Sequence, residues 1–171
     1  MRSHAKNVAY ISMMVCVAML MSYLEALLPY IPIPGFKPGL ANLAVTVTYF
    51  YLGLPSAITI SLIRIFLTSL LFGSPVSLLF SVVGGIFTLS VITVYHLVFR
   101  NRIGTIGLCV LCSAFHCIGQ SLSASILYGA SLLFTYLPWI LLLSIPTGVL
   151  TGTLTYVIIS KLKYNLRKVN T

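Results

Sequence analysis

Six residues carry most of the chemistry open to this chain: Glu25, Lys37, Asn42, Arg64, His116 and Gln120. Arg64 lies inside an apolar stretch, and an arginine at membrane depth is costly unless it faces protein or a water-filled cavity. Ser61, Arg64 and Thr68 recur at helical spacing and form one polar stripe. Three uses fit Arg64: a counter-charge for an anionic group on a ligand, an internal partner for Glu25, or a cation snorkelling to an interface. Glu25 is the single acidic side chain in the sequence. It suits an ion pair with Lys37 or Arg64, or a contact to a cationic part of a ligand. One carboxylate cannot make the acid/base pair of a glycosidase, nor hold magnesium and a diphosphate. The chain is therefore expected not to be an enzyme.

Lys37 and Asn42 flank the stretch Pro34-Gly35-Phe36-Lys37-Pro38-Gly39-Leu40-Ala41-Asn42-Leu43. Its glycines permit close backbone approach, and amides at the start of the following helix could face an anion. Pro34, Gly35, Pro38 and Gly39 are expected to shape a gating loop over a small binding site; the bland alternative is an ordinary loop with a capping asparagine. Asn42, Thr46 and Tyr49 share one face of the next helix. His116 and Gln120 lie one turn apart, in a stripe with Cys112 and Ser123. The Cys109-x-x-Cys112 pair with His116 four residues on has a metal-like ring, but the cysteines sit inside an apolar span with no matching ligand elsewhere, so no metal is expected. A hydrogen-bonding pair for a ligand, or an interhelical contact, fits His116 and Gln120 better.

The elements that must position these groups follow from composition. Of 171 residues, 59% are hydrophobic and 6% charged, with a mean hydropathy of +1.09; soluble domains carry about 25% charged residues. A lipid solvent accounts for that deficit. Six apolar segments are expected, at about 8–28, 39–52, 56–72, 76–99, 104–128 and 132–160, forming a single domain over 1–171: an all-α integral membrane protein, a compact six-helix transmembrane bundle. The second segment is short for a full span, as in a tilted or broken helix lining a site. Gly84-Gly85 is expected to interrupt the fourth, and Pro138 and Pro146 to bend the sixth or trim its start. The first segment reads as a retained helix and not a cleaved signal.

A net charge of +9 would suggest nucleic acid in a soluble protein, but here the cations sit at segment ends. With six spans, all ten basic residues except Lys37 and Arg64 fall on one side. The positive-inside rule then makes both termini cytoplasmic in a bacterial cytoplasmic membrane. The four cysteines lie in apolar segments and do not outline a disulfide framework. Ser144, Gly148, Thr151 and Thr155 form a small-residue face on the sixth segment, and on the first Ala5 and Ala9, then Ala18, Ser22 and Ala26, are small residues four apart. Such faces serve internal packing or the docking of a partner subunit.

The Pro34–Leu43 motif resembles the signature of a bacterial family known as Gx transporter or heptaprenyl diphosphate synthase component I. The resemblance continues through Arg64, Gly73-Ser74-Pro75, Phe80-Ser81, Gly84-Gly85, His116, Gly119-Gln120 and Pro146-Thr147-Gly148. The chain departs from it at Pro38, commonly Leu, and at Cys117, commonly Asn. That family in turn resembles the substrate-binding S components of energy-coupling factor transporters, six-helix proteins that bind vitamins or related nutrients from outside. The resemblance implies a coupling transmembrane subunit and cytoplasmic ATPases as partners, with ATP used only by the latter, no covalently bound cofactor, and Ala5 and Ala9 meeting the coupling subunit. It also associates the family with isoprenoid, quinone and flavin-linked redox systems. Three functions are thus in play: an ATP-driven solute-uptake subunit, a non-catalytic accessory subunit of such a system, and a stand-alone secondary carrier. No Walker-type phosphate loop occurs in the sequence, and no internal repeat of the kind common in secondary carriers is evident.

Overall fold

A computed structural model describes the backbone of residues 2–27, 39–72, 75–99, 103–129 and 131–169, and the side chains of 7–27, 39–71, 75–99, 103–129, 135 and 137–162. Pro34, Gly35, Lys37 and Pro38 lie outside the described residues, as does the side chain of Ala5. Among the described residues every regular element is helical: α1 (Arg2–Leu27), α2 (Asn42–Leu52), α3 (Leu54–Phe72), α4 (Pro75–Val94) with a π-helical turn at Tyr95–Phe99, α5 (Thr105–Tyr128) and α6 (Ser131–Val169). Five are long and apolar enough to cross a bilayer, over Asn7–Leu27, Leu54–Leu71, Pro75–Phe99, Thr105–Tyr128 and Leu137–Leu162. Their outer faces carry Leu62, Phe66, Leu70, Ile86, Leu142 and similar residues in the open. Exposed apolar surface on that scale belongs in lipid. The chain is a multi-pass, all-α membrane bundle.

The sixth helix is different in kind. The 11 residues of α2 reach about 16 Å, roughly half the hydrocarbon thickness of about 30 Å. Its C-terminal end packs near helix ends: Tyr51 stacks on Tyr10 of α1 at 4.4 Å, and Tyr49 meets His96 of the π-turn. Its N-terminal end reaches Arg64 at the middle of α3 and lies beside His116 at the middle of α5. So α2 is a half-span whose start lies deep in the bundle, and residues 42 to 48 are all buried.

Close helix approach depends on residues without bulk. A methyl group at Gly148 of α6 would stand 2.6 Å from Val110 Cα of α5, and one at Gly152 would stand 2.8 Å from Ile106 Cα. The α5–α6 pair is accordingly the most extensive in the bundle. Gly84 and Gly85 do not interrupt α4, which is continuous through both; they are its contact points with α5 and α3. A methyl group at Gly119 would lie 2.9 Å from Gly84 Cα. Nor do Pro138 and Pro146 trim α6, which runs through them. Around Pro146, Ser144 Oγ donates to Leu141 O and Thr147 Oγ1 to Leu143 O, so both hydroxyls are satisfied within the helix's own backbone.

Candidate functional site

The start of α2 is built around one glycine. Gly39 has φ +76°, a conformation that costs an L-residue about 1–2 kcal/mol. A side chain there would also press on Asn42 Nδ2 at 3.1 Å and His116 Cδ2 at 3.4 Å. The turn it makes occupies its own amides. Asn42 N–H donates to Gly39 O at 2.9 Å and Leu43 N–H to Leu40 O at 3.0 Å. Leu40 N–H donates to the Glu25 carboxylate of α1. These amides, which the sequence suggests for an anion, are therefore already bonded. Side chains supply further donors to the site.

Two of those donors stand out. Arg64 and Asn42 are each 6% exposed, and Arg64 Nη2 donates to Asn42 Oδ1 at 3.4 Å. Among the described residues the guanidinium Nε and the amide Nδ2 have no hydrogen-bond partner, and neither does the hydroxyl of Thr68, one turn beyond Arg64. A buried unsatisfied donor costs about 1–3 kcal/mol, more when charged. Glu25 acts on Arg64 electrostatically and offsets part of its cost of burial.

His116 forms the opposite wall. Its ring lies against Gly84, where a methyl group would be 2.7 Å from Cε1. Thr88 Oγ1 donates to Gly84 O at 3.0 Å, which leaves its lone pairs to accept from His116 Nδ1 at 3.2 Å. Nε2 is then the acceptor, and Gln120 Nε2 donates to it at 3.0 Å. The network assigns the neutral Nδ1–H tautomer. A ring held at both nitrogens is positioned, not mobile.

A cavity of about 10 Å³ lies between these walls and α6, lined by Gly39, Asn42, Thr46, Cys109, Cys112, Ser113 and Thr151. It is at the lower limit for a single water, and neither Arg64 nor His116 lines it. Below it, Cys109 Sγ–H faces Thr155 Oγ1 at 3.9 Å, Thr155 meets Thr46 at 3.1 Å, and Thr46 donates to Asn42 O and Leu43 O. This relay ties the first turn of α2 to α5 and α6.

The structure therefore brings Glu25, Gly39, Asn42, Arg64, His116 and Gln120 around one point at mid-depth, while Lys37 lies outside the described residues. Ala9 is exposed on the outer face of α1. Thr88 escaped the sequence reading, and Gly84 entered it only within the Gly84-Gly85 pair; the packed His116 ring is what gives both a role at the site.

A model of the family described as heptaprenyl diphosphate synthase component I matches residues 14–158. The chain belongs to that family. The match takes in α2 to α5 and both walls of the site, from Glu25 to Gln120. No curated protein and no solved structure matches the chain.

Proposed function

We propose that this family member is the substrate-binding subunit of an ATP-driven uptake system in a bacterial cytoplasmic membrane, with both termini in the cytoplasm. One observation carries the reading. Arg64 Nε and Asn42 Nδ2, on adjoining buried side chains at mid-depth, are donors without acceptors among the described residues. Side chains kept at such a cost in a membrane are functional by default, and what completes them is a solute bearing an anionic or carbonyl acceptor group. A half-helix starting at the site supports the same reading, because its positive end favours negative charge.

Binding then needs the site to open. The turn at Gly39 lies against Asn42 and His116 and is tied to α1 by the Glu25–Leu40 bond, so a solute reaching Arg64 past this turn requires that bond to yield. Lys37 and the Pro34–Gly39 loop belong to this gate, and Gln120 holds His116 as its floor. The chain performs no covalent step; a coupling transmembrane subunit, met through Ala5 and Ala9, and cytoplasmic ATPases supply the energy.

The test has two arms. Mass spectrometry of the purified protein should find a co-purifying small acid or carbonyl compound that is lost from Arg64→Met. Affinity capture from the native membrane should recover a coupling subunit and ATPases. The family description favours a second reading, a membrane accessory component of a prenyl diphosphate synthase. With Glu25 as the sole acidic residue, the metal-holding carboxylates of chain elongation would have to come from another subunit. Capture of a synthase in place of ATPases would establish that reading.

A further inference from the structure

Glu25 acts on the site in two ways at once. Its carboxylate accepts the Leu40 N–H and so ties α1 to the turn before α2. Its charge is also felt at Arg64 of α3 and at Cys117 of α5, so it lies within electrostatic reach of both walls. Yet Arg64 Nε has no hydrogen-bond partner among the described residues. Glu25 therefore offsets the charge of the guanidinium without completing its hydrogen bonds. It is the single acidic side chain in the sequence, and no other side chain can supply Arg64 with negative charge.

The two ties oppose each other once a solute arrives. A solute passing the turn requires the Glu25–Leu40 bond to yield. Moving Glu25 away also removes the charge that offsets the burial of Arg64, and a buried cation left unmatched is strongly destabilising. A neutral carbonyl would give Arg64 Nε a hydrogen bond but no counter-charge. A carboxylate gives both, and it repels Glu25 as it does so. Resting on Arg64 as a solute contact, we infer that Glu25 is a built-in counter-ion which a carboxylate-bearing solute displaces, so that binding the acid and releasing the turn at Leu40 are one event. The solute class thus narrows from any acceptor to an acid, and Glu25 sets that charge specificity. Coupling of this kind is reciprocal: what the acid does to the Glu25–Leu40 tie, the charge of Glu25 does to the acid.

Acetate and acetamide, alike in size and different in charge, test this on the purified full chain in detergent, with chloride at equal ionic strength as the reference. Hydrogen exchange read by mass spectrometry follows the Leu40 amide. Acetate should speed exchange there and raise the thermal midpoint; acetamide should do neither. In Arg64→Met both effects of acetate should vanish. Glu25→Gln keeps an oxygen to accept the Leu40 N–H but carries no charge. It should lower the acetate concentration at half effect on the midpoint by about fivefold or more. Acetate without effect on Leu40, acetamide acting like acetate, or Glu25→Gln binding acetate no better than the unaltered chain overturns the displacement of Glu25. The Arg64 site itself still stands in those cases if Arg64→Met abolishes binding, and falls if acetate binds Arg64→Met undiminished. The comparison of acetate with acetamide needs no variant, and it decides if Glu25→Gln does not fold.

Discussion

On the side facing α5 and α6, the polar groups of α2 are met by hydroxyls and a thiol: Cys109, Thr155 and Thr46 hand hydrogen bonds on to the carbonyls of Asn42 and Leu43. Glycines at 148 and 152 bring α6 against α5 closely enough to complete this packing. On the side facing α3, the same helix presents Asn42 to Arg64, and there Asn42 Nδ2, Arg64 Nε and Thr68 Oγ1 end without hydrogen-bond partners among the described residues. Asn42 and Arg64 on one face and Cys109, Thr46 and Thr155 on the other are all buried, so the difference is not one of solvent access. The first is a joint, in which each polar group has a use inside the protein. The second is strongly polar and incomplete, which is how a membrane protein holds a place for something that arrives later.

That comparison breaks if the two faces respond alike to mutation. The largest contrast should come from Arg64→Met. Removing a charge-assisted contact of about 1.5–3 kcal/mol should weaken binding of the co-purifying solute by about ten- to a hundredfold, read by isothermal calorimetry. Because the buried charge is poorly matched, the melting temperature of the variant in detergent should stay level or rise. A melting temperature that falls with intact binding would make Arg64 a structural residue. Next comes Gly148→Val on the joint side. Its added carbon meets the backbone of Val110, an overpacking that costs about 1–3 kcal/mol and should lower the thermal midpoint while any ligand retained keeps its affinity.

Gly39→Ala sharpens the boundary between the faces, since Gly39 touches both Asn42 and His116. The left-handed backbone costs about 1–2 kcal/mol with a side chain, so both midpoint and affinity should drop. A variant that loses neither would show that this turn is not fixed in the working protein. The smallest effect belongs to Thr155→Val, which cuts the relay at a cost of about 0.6–2 kcal/mol. It should shift the midpoint slightly and leave solute binding unchanged; a large loss of binding there would merge the two faces into one site.

Some of this is legible from residue order. A lone arginine within an apolar run is conspicuous because lipid penalises it, and the Pro-Gly stretch before Asn42 announces irregular backbone. The spacing of Cys112, His116, Gln120 and Ser123 correctly placed them on a buried stripe of α5. Other features resist such reading. Gly84-Gly85 has the look of a helix break, since glycine disfavours helices in water; in the bundle the same pair lets a histidine ring and the α5 backbone come close, and packing outweighs propensity. The amides at the start of α2 look open to an anion until the turn at Gly39 and the distant Glu25 are seen to use them.

What residue order alone determined is the solvent of this protein and its scarcity of charge: spans of apolar side chains, cations at their ends, and one acid and one arginine that lipid would not tolerate facing outwards. Those properties are local, set by each side chain's transfer energy and by helical spacing. Only the tertiary structure decided that α2 stops half-way, that Asn42 meets Arg64 22 positions along, and that His116 lies over Gly84 with its protons assigned by Thr88 and Gln120. Such pairings depend on which helix faces come together and how closely, and that is a property of the packed bundle as a whole.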